Sequence, residues 1–122
     1  MDAIMGKLNY YVAKVEFKFN EGIKEIVLER ILYIESRLHK LEFHIMEDTL
    51  KTYTMYKTLN EIEKQIEGNG FSRIHQSFLV NLKYVSNIKR YKMILNNGME
   101  LVIPKARYND VKDTFMVYQG EI

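Results

Sequence analysis

The three histidines and Ser77 are the side chains of this chain that could support catalysis most directly. His75 and Ser77 are two residues apart, so an extended backbone would place a nucleophile and its base on one side. Ser77, however, lies in no Gly-x-Ser-x-Gly motif, and no glycine-rich loop lies nearby to bind an oxyanion or a phosphate. The pattern therefore argues against an enzyme. It leaves two interpretations of His75, a half-buried hydrogen-bonded side chain or a direct contact with a ligand.

A metal centre has equally little support. The chain has no cysteine, which excludes thiolate ligands and disulfides and is typical of a reducing compartment. His39 and His44 differ by five positions, so they would face opposite sides of one straight strand. His44 follows Phe43 on an alternating segment and is predicted to face solvent. We expect neither a metal nor a cofactor.

Basic residues are distributed unevenly. The segment 71–112 holds eight basic and two acidic residues, hence a net charge of +6, whereas the whole chain has only +2. This asymmetry fits an anionic partner. A solvated basic face is the alternative that charge alone leaves open.

Hydrogen-bond donors cluster at three places between the predicted elements. The clusters are Arg37, His39 and Lys40; Arg73, Gln76 and Ser77; and Lys105 and Arg107. Arg and Lys bind phosphates or guanine edges, Gln pairs with adenine, and Ser donates to phosphate. Turns on a stiff β scaffold could carry such donors into a DNA groove. The alternative is an RNA-binding or protein-interaction module. Binding of single-stranded RNA needs exposed aromatic side chains, whereas the aromatic residues of this chain mostly lie at alternating positions that face the core.

The elements that must position these donors are mainly strands. Alternating apolar residues and turn signals predict strands at 14–19, 23–28, 33–35, 41–45, 50–56, 84–93 and 99–103. A helical turn is expected at 29–32, a polar break at 36–40, and a hairpin turn at Asn97-Gly98. The segment 71–81 is interpreted as a strand, with Ser77 as a possible N-cap of a short helical turn at 78–81.

Two helices are predicted from side-chain spacing. Thr58 and Glu61 have the spacing of a capping box, and Gly68 supplies a C-terminal stop. Residues 108–118 carry apolar side chains at helical spacing and predict a short amphipathic helix. The predicted fold class is mainly β, an elongated antiparallel β-sandwich of about eight to ten short strands with one clear helix and one or two short helices.

The length of 122 residues fits one domain. We assign residues 1–11 to a tail or edge segment and 12–122 to the domain. The chain has no apolar run long enough for a membrane span and no signal pattern, so a cytoplasmic protein without membrane contact is expected.

The segment 71–88 resembles the signature of the LytTR DNA-binding domain family. It reads Phe-x-Arg-Ile-His-x-Ser-Phe-Leu-Val-Asn and then Tyr-Val-x-x-Ile. The flanking features follow the family's order, from Ile-Leu-Tyr-Ile-Glu-Ser at 31–36 to Arg107-Tyr108 before the last helix. The resemblance covers about residues 12–115.

This resemblance implies a bacterial transcription regulator of the response-regulator type used in two-component systems. Such a domain contacts the major groove of double-stranded DNA through loops, with no cofactor and no catalysis. The family's DNA contacts, carried onto this chain, fall on Arg37, His39, Lys40, Arg73, Gln76, Ser77, Lys105 and Arg107. Two copies on repeated promoter half-sites are implied, with a receiver domain where the domain belongs to a longer protein.

Two positions depart from the family pattern. Gln76 stands where a basic residue is usual, and Pro104-Lys105 stands where Ser-Arg is common. Pro104 has no amide to donate to a phosphate, and Lys105 lacks the bidentate fork of arginine. We therefore expect base preference at these positions to differ from that of relatives.

Overall fold

Ten strands and two α-helices make up residues 12–120, the part of the chain that the computed structural model describes. The strands are β1 (Lys14–Phe19), β2 (Gly22–Val27), β3 (Ile31–Arg37), β4 (Lys40–Met46), β5 (Leu50–Met55), β6 (Phe71–His75), β7 (Phe78–Asn81), β8 (Val85–Lys89), β9 (Lys92–Leu95) and β10 (Glu100–Val102). The helices are α1 (Leu59–Gln65) and α2 (Lys105–Tyr118), and 3-10 turns span Leu28–Arg30 and Leu82–Tyr84. The predicted mainly β class is confirmed. The segment assigned to 1–11 lies outside the described residues, as do 121–122.

The strands form three antiparallel sheets. A five-stranded sheet in the order β5-β4-β3-β7-β6 lies between the β1-β2 hairpin and a three-stranded sheet in the order β10-β9-β8. One core lies between the hairpin, α1 and one face of the five-stranded sheet, around Phe17, Phe43 and Ile62. The second core, around Val80 and Met93, lies between the other face, the three-stranded sheet and α2. Both faces of the central sheet are thus anchored by buried apolar side chains.

The register of the central sheet brings several connections to one end. Glu35 near the end of β3 pairs with Phe78 at the start of β7, so the β3–β4 and β6–β7 turns are neighbours. Leu41 at the start of β4 pairs with Met55 at the end of β5, so the chain enters α1 from the same end. The pairing therefore groups connections that are far apart in sequence.

Both helices have sequence-encoded ends. The Thr58 hydroxyl accepts from the Glu61 amide, and the Glu61 carboxylate accepts from the Thr58 amide, each over 3.1 Å. This confirms the predicted capping box. Helix α2 begins directly after Pro104 and buries Val111 and Phe115 against the second core. With 14 residues it is the longer of the two helices and not the short one predicted.

Three local predictions are wrong. The segment 71–81 is a hairpin, β6 and β7, and not one strand followed by a helical turn. Its residues 78–81 are extended, so Ser77 caps no helix, and Asn81 instead caps the 3-10 turn by accepting from the Lys83 amide over 3.1 Å. The predicted strand 84–93 is divided into β8 and β9 by a turn at Arg90–Tyr91. The sequence of 84–93 did not indicate this turn, because neither of its two residues is glycine, proline or asparagine.

Candidate nucleic-acid interface

The β3–β4 connection is a two-residue turn, tighter than the polar break predicted at 36–40. Its residues Leu38 and His39 both have left-handed backbone angles, φ 51° and 67°, as the favoured type I′ hairpin turn requires. Arg37 and Lys40 are therefore paired strand residues, and only His39 of the predicted trio lies in the turn itself. Leu38 is 81% exposed at the tip.

The β6–β7 turn is held by its own side chains. The Ser77 amide donates to Nδ1 of His75 over 2.9 Å, so a hydrogen bond joins the residues on either side of Gln76. Gln76 itself is exposed. The Ser77 carbonyl oxygen accepts from the Ser36 amide over 2.8 Å. This bond joins the β6–β7 turn to the end of β3. The two turns therefore form one unit at the end of the central sheet.

The Arg73 side chain lies against α1 and the β6–β7 turn. Its side chain is 15% exposed and forms an ion pair with Glu63 of α1 over 2.8 Å. The same guanidinium donates to Asn60 Oδ1 over 2.8 Å and to the carbonyl oxygens of His75 and Gln76 over 3.0 and 2.6 Å. Arg73 thus fixes the β6–β7 turn against α1 with charge-assisted bonds.

An open depression of about 510 Å³ lies between these elements. It is lined by residues from the two turns and from the β5–α1 connection: Ser36, His39, Tyr56, Lys57, Thr58, Leu59, Asn60, Arg73, Gln76 and Ser77. The structure therefore brings His39 of the first predicted cluster together with all three residues of the second. Sequence reasoning missed Lys57 and the 70% exposed Tyr56. The signal that could have found them is the antiparallel pairing of β4 with β5, which sets the end of β5 beside the β3–β4 turn.

The third predicted cluster divides between two places. Arg107 donates to the Arg73 carbonyl oxygen over 3.3 Å and so lies beside β6. Lys105, two positions earlier on the helix, cannot face the same way. It lines a second depression of about 510 Å³ with Arg90 and Lys112. The structure thus joins Arg107 to the first two clusters and places Lys105 in a separate basic group.

The basic group around Lys105 is built on an aromatic pair. Tyr91 and Tyr108 meet edge to face with ring centroids 5.1 Å apart. Arg90 lies 5.5 Å from the Tyr91 ring, and Lys112 lies 5.7 Å from the Tyr108 ring. Each ring weakly attracts the cation beside it. This surface is suited to anionic groups.

A titratable cluster lies on β3 and β4, where Glu35 pairs with Glu42 and His44 stacks on Tyr33 with centroids 4.3 Å apart. The three ligand-type groups of Glu35, Glu42 and His44 lie within 4.8 Å of one another. Burial and the Glu42 charge raise the pKa of Glu35, which Arg37 opposes. Burial lowers the pKa of His44, against the effect of Glu42. The prediction that His44 faces solvent is wrong, because it is half-buried.

This geometry agrees with the comparisons to known proteins. A family model described as the LytTr DNA-binding domain matches residues 21–116. The chain belongs to the LytTr DNA-binding domain family. The match covers nearly the whole described region, including both joined turns and most of α2. The resemblance inferred from the sequence is therefore confirmed.

Curated relatives of this LytTr domain are longer proteins. Sensory transduction protein LytT of Bacillus subtilis (strain 168) is 30% identical over 66 residues, covering 50% of this chain and 27% of that protein. LytT of Bacillus cereus is 24% identical over 104 residues, covering 81% of this chain and 41% of that protein. Transcriptional regulatory protein LytR of Staphylococcus aureus (strain N315) is 29% identical over 65 residues, covering 49% and 26%. The chain thus spans less than half the length of these relatives.

The LytTr fold itself is shared with a solved structure. A LytTr DNA-binding domain from Bacillus cereus superimposes with a TM-score of 0.68 at 21% identity, covering 85% of this chain and 96% of that one. The three antiparallel sheets and two helices described above are therefore the LytTr arrangement. Across residues 12–120, no helix is both long and apolar enough to cross a membrane.

Proposed function

We propose that this LytTr domain is the sequence-specific, double-stranded DNA-binding part of a bacterial transcription regulator, and that it contacts the major groove through turns. One observation carries the proposal. The β3–β4 and β6–β7 turns are joined by the Ser36–Ser77 hydrogen bond and present polar side chains around one open depression. The rigid unit needs little reordering to bind, which favours affinity.

The size of the unit suits the major groove. That groove is about 12 Å wide in B-form DNA and admits a two-stranded β-ribbon. The hairpin that ends at Leu38 and His39 is such a ribbon, and its neighbouring turn adds Gln76. Each base pair presents a distinct pattern of donors and acceptors in this groove. Exposed His39 and Gln76 are the side chains we assign to base edges.

Phosphate contacts are assigned to the basic side chains around the turns. Arg37 and Lys40 flank the first turn, and Arg107 lies beside β6. Lys105 lies in the second basic group with Arg90 and Lys112. Ser77, at the base of the second turn, is assigned a phosphate contact through its hydroxyl. The cations around the two turns and those of the second basic group would bind phosphates on both sides of the contacted groove.

Arg73 takes a different role from the direct contact that the family resemblance implies. Its guanidinium already donates to Asn60, Glu63 and two turn carbonyl oxygens. We assign Arg73 to positioning the Gln76 turn. Base contacts that depend on Gln76 then depend indirectly on Arg73.

The proposal extends to the assembly. Two copies would occupy repeated promoter half-sites, and in a longer protein a receiver domain would control them. The two copies rest on the family resemblance alone. The longer protein is supported by the relatives, which are longer than this chain and are named as sensory transduction and transcriptional regulatory proteins. No catalytic step is part of the proposed function.

Selection from a random duplex library tests the proposal. We expect one enriched motif that the domain binds more tightly than a scrambled duplex of equal composition. Gln76→Ala should reduce this preference, whereas Gln119→Ala, an exposed change at the far end of α2, should leave it intact. A pool with no enriched motif, or equal binding to single-stranded RNA, would argue against the proposal.

A further inference from the structure

We infer that Leu38 contacts the 5-methyl groups of thymines in the major groove and so contributes to base preference, an inference that rests on the proposed function. Leu38 is 81% exposed, the largest exposed fraction among the large apolar side chains of residues 12–120. It occupies the first position of the β3–β4 turn, next to His39. The first support is therefore its position at the tip of a hairpin that already presents polar groups.

The backbone at Leu38 supplies independent support. Its φ of 51° is left-handed, where glycine or asparagine is favoured and a branched side chain is disfavoured. A glycine would satisfy the turn without exposing apolar surface to water. Leucine is therefore unfavourable here for both backbone and solvation. Such local conflicts concentrate at binding sites, where the side chain gains a partner.

The chemistry of the groove identifies that partner. Thymine is the only base of unmodified DNA with a methyl group in the major groove, and apolar side chains contact it. Leu38 adjoins His39, and the Ser36–Ser77 bond joins this turn to that of Gln76. The polar side chains would fix the orientation of the turn over the base edges. Leu38 would then bury its exposed surface on thymine methyl groups.

Deoxyuracil replacement tests this contact, because uracil lacks only the methyl group. The probe is the duplex that the wild-type domain selects from the library, with thymine or uracil in one half-site. Wild-type affinity should fall about fourfold per contacted methyl group. Leu38→Gly should bind the two probes equally, since glycine keeps the left-handed turn but offers no side chain. The control Leu50→Ala changes a residue at the opposite end of the sheet. Its affinity should fall between the two probes by the same factor as that of wild type.

Three results would overturn the inference. Wild type could bind both probes equally, Leu38→Gly could lose the same factor as wild type, or the selected duplex could contain no thymine. In each case DNA binding by the domain, and with it the proposed function, would still stand. Failure of the wild-type domain to bind any duplex would instead contradict the proposed function itself.

Discussion

The backbone amide of Ser77 donates to Nδ1 of His75 over 2.9 Å. The ring therefore accepts at Nδ1 and carries its proton on Nε2. This arrangement makes His75 a support for the backbone that presents Gln76. It supports the interpretation of His75 as a half-buried, hydrogen-bonded side chain.

His75 can be tested by replacing its acceptor. His75→Ala removes one hydrogen bond that holds the turn, so binding to the selected duplex should weaken by at most about 1 kcal/mol. His75→Asn should retain most of the affinity, because an asparagine oxygen accepts from the amide two residues on. Fluorescence anisotropy with a labelled duplex measures both. Equal losses for the two variants would contradict the role of His75 as a hydrogen-bond acceptor for the turn.

Arg73 should be more important for folding than for DNA contact. Arg73→Lys keeps the charge but offers only three donors, from one atom, to the four acceptors that Arg73 reaches. We expect the free energy of unfolding, measured in urea, to fall by about 2 kcal/mol. The control Arg37→Lys changes an exposed side chain and should stay within about 0.5 kcal/mol of wild type. Lower affinity at unchanged stability would instead favour direct DNA contact by Arg73.

Glu35 should make stability depend on pH. Because its pKa is raised above 4.5 in the folded state, the fold binds this proton more tightly than the unfolded chain does. Its contribution is therefore favourable at low pH and is lost as pH rises through the raised value. Glu35→Gln should raise the urea midpoint at pH 7, and the gain should vanish below pH 4.5. A gain that is independent of pH, or equal to that of exposed Glu67→Gln, would contradict this.

Gln76 is one of the two positions at which the resemblance implies a departure from the family pattern. Gln76→Lys should add one phosphate contact, which raises affinity for all duplexes and steepens the salt slope by about 1. The preference for the selected duplex over a scrambled one should fall, because glutamine's paired donor and acceptor are lost. Gln119→Lys provides the matched charge control. An unchanged slope with Gln76→Lys would place this turn away from DNA.

Local signals predicted much of the fold. The Thr58–Glu61 capping box and the Asn97-Gly98 turn depend on residues within four positions, and both are present in the structure. Of the turns at 38–39, 76–77 and 90–91, the first was predicted only as a longer polar break at 36–40, and the other two were missed. None contains glycine, proline or asparagine, and the second is held partly by Arg73 from outside the turn. Their geometry depends on sheet pairing and on side chains, which local patterns do not show.

The site was predicted as a set of residues but not as an arrangement. Sequence identified three donor clusters, yet the direction of the Arg73 side chain toward α1 depends on Asn60 and Glu63, more than nine positions away. The separation of Lys105 from Arg107 likewise appears only once the helix is known to begin at Lys105. Tertiary contacts thus decide which donors face solvent.

The most direct test of sequence-specific DNA binding is the dissociation constant for the selected duplex and its scrambled counterpart across salt concentrations. We predict tighter binding to the selected duplex throughout. A plot of log affinity against log salt should have a slope of about −3 or steeper, because four basic side chains, those of Arg37, Lys40, Lys105 and Arg107, are assigned to phosphates. Equal affinity for the two duplexes would contradict specificity, and binding insensitive to salt would contradict contact with the DNA backbone.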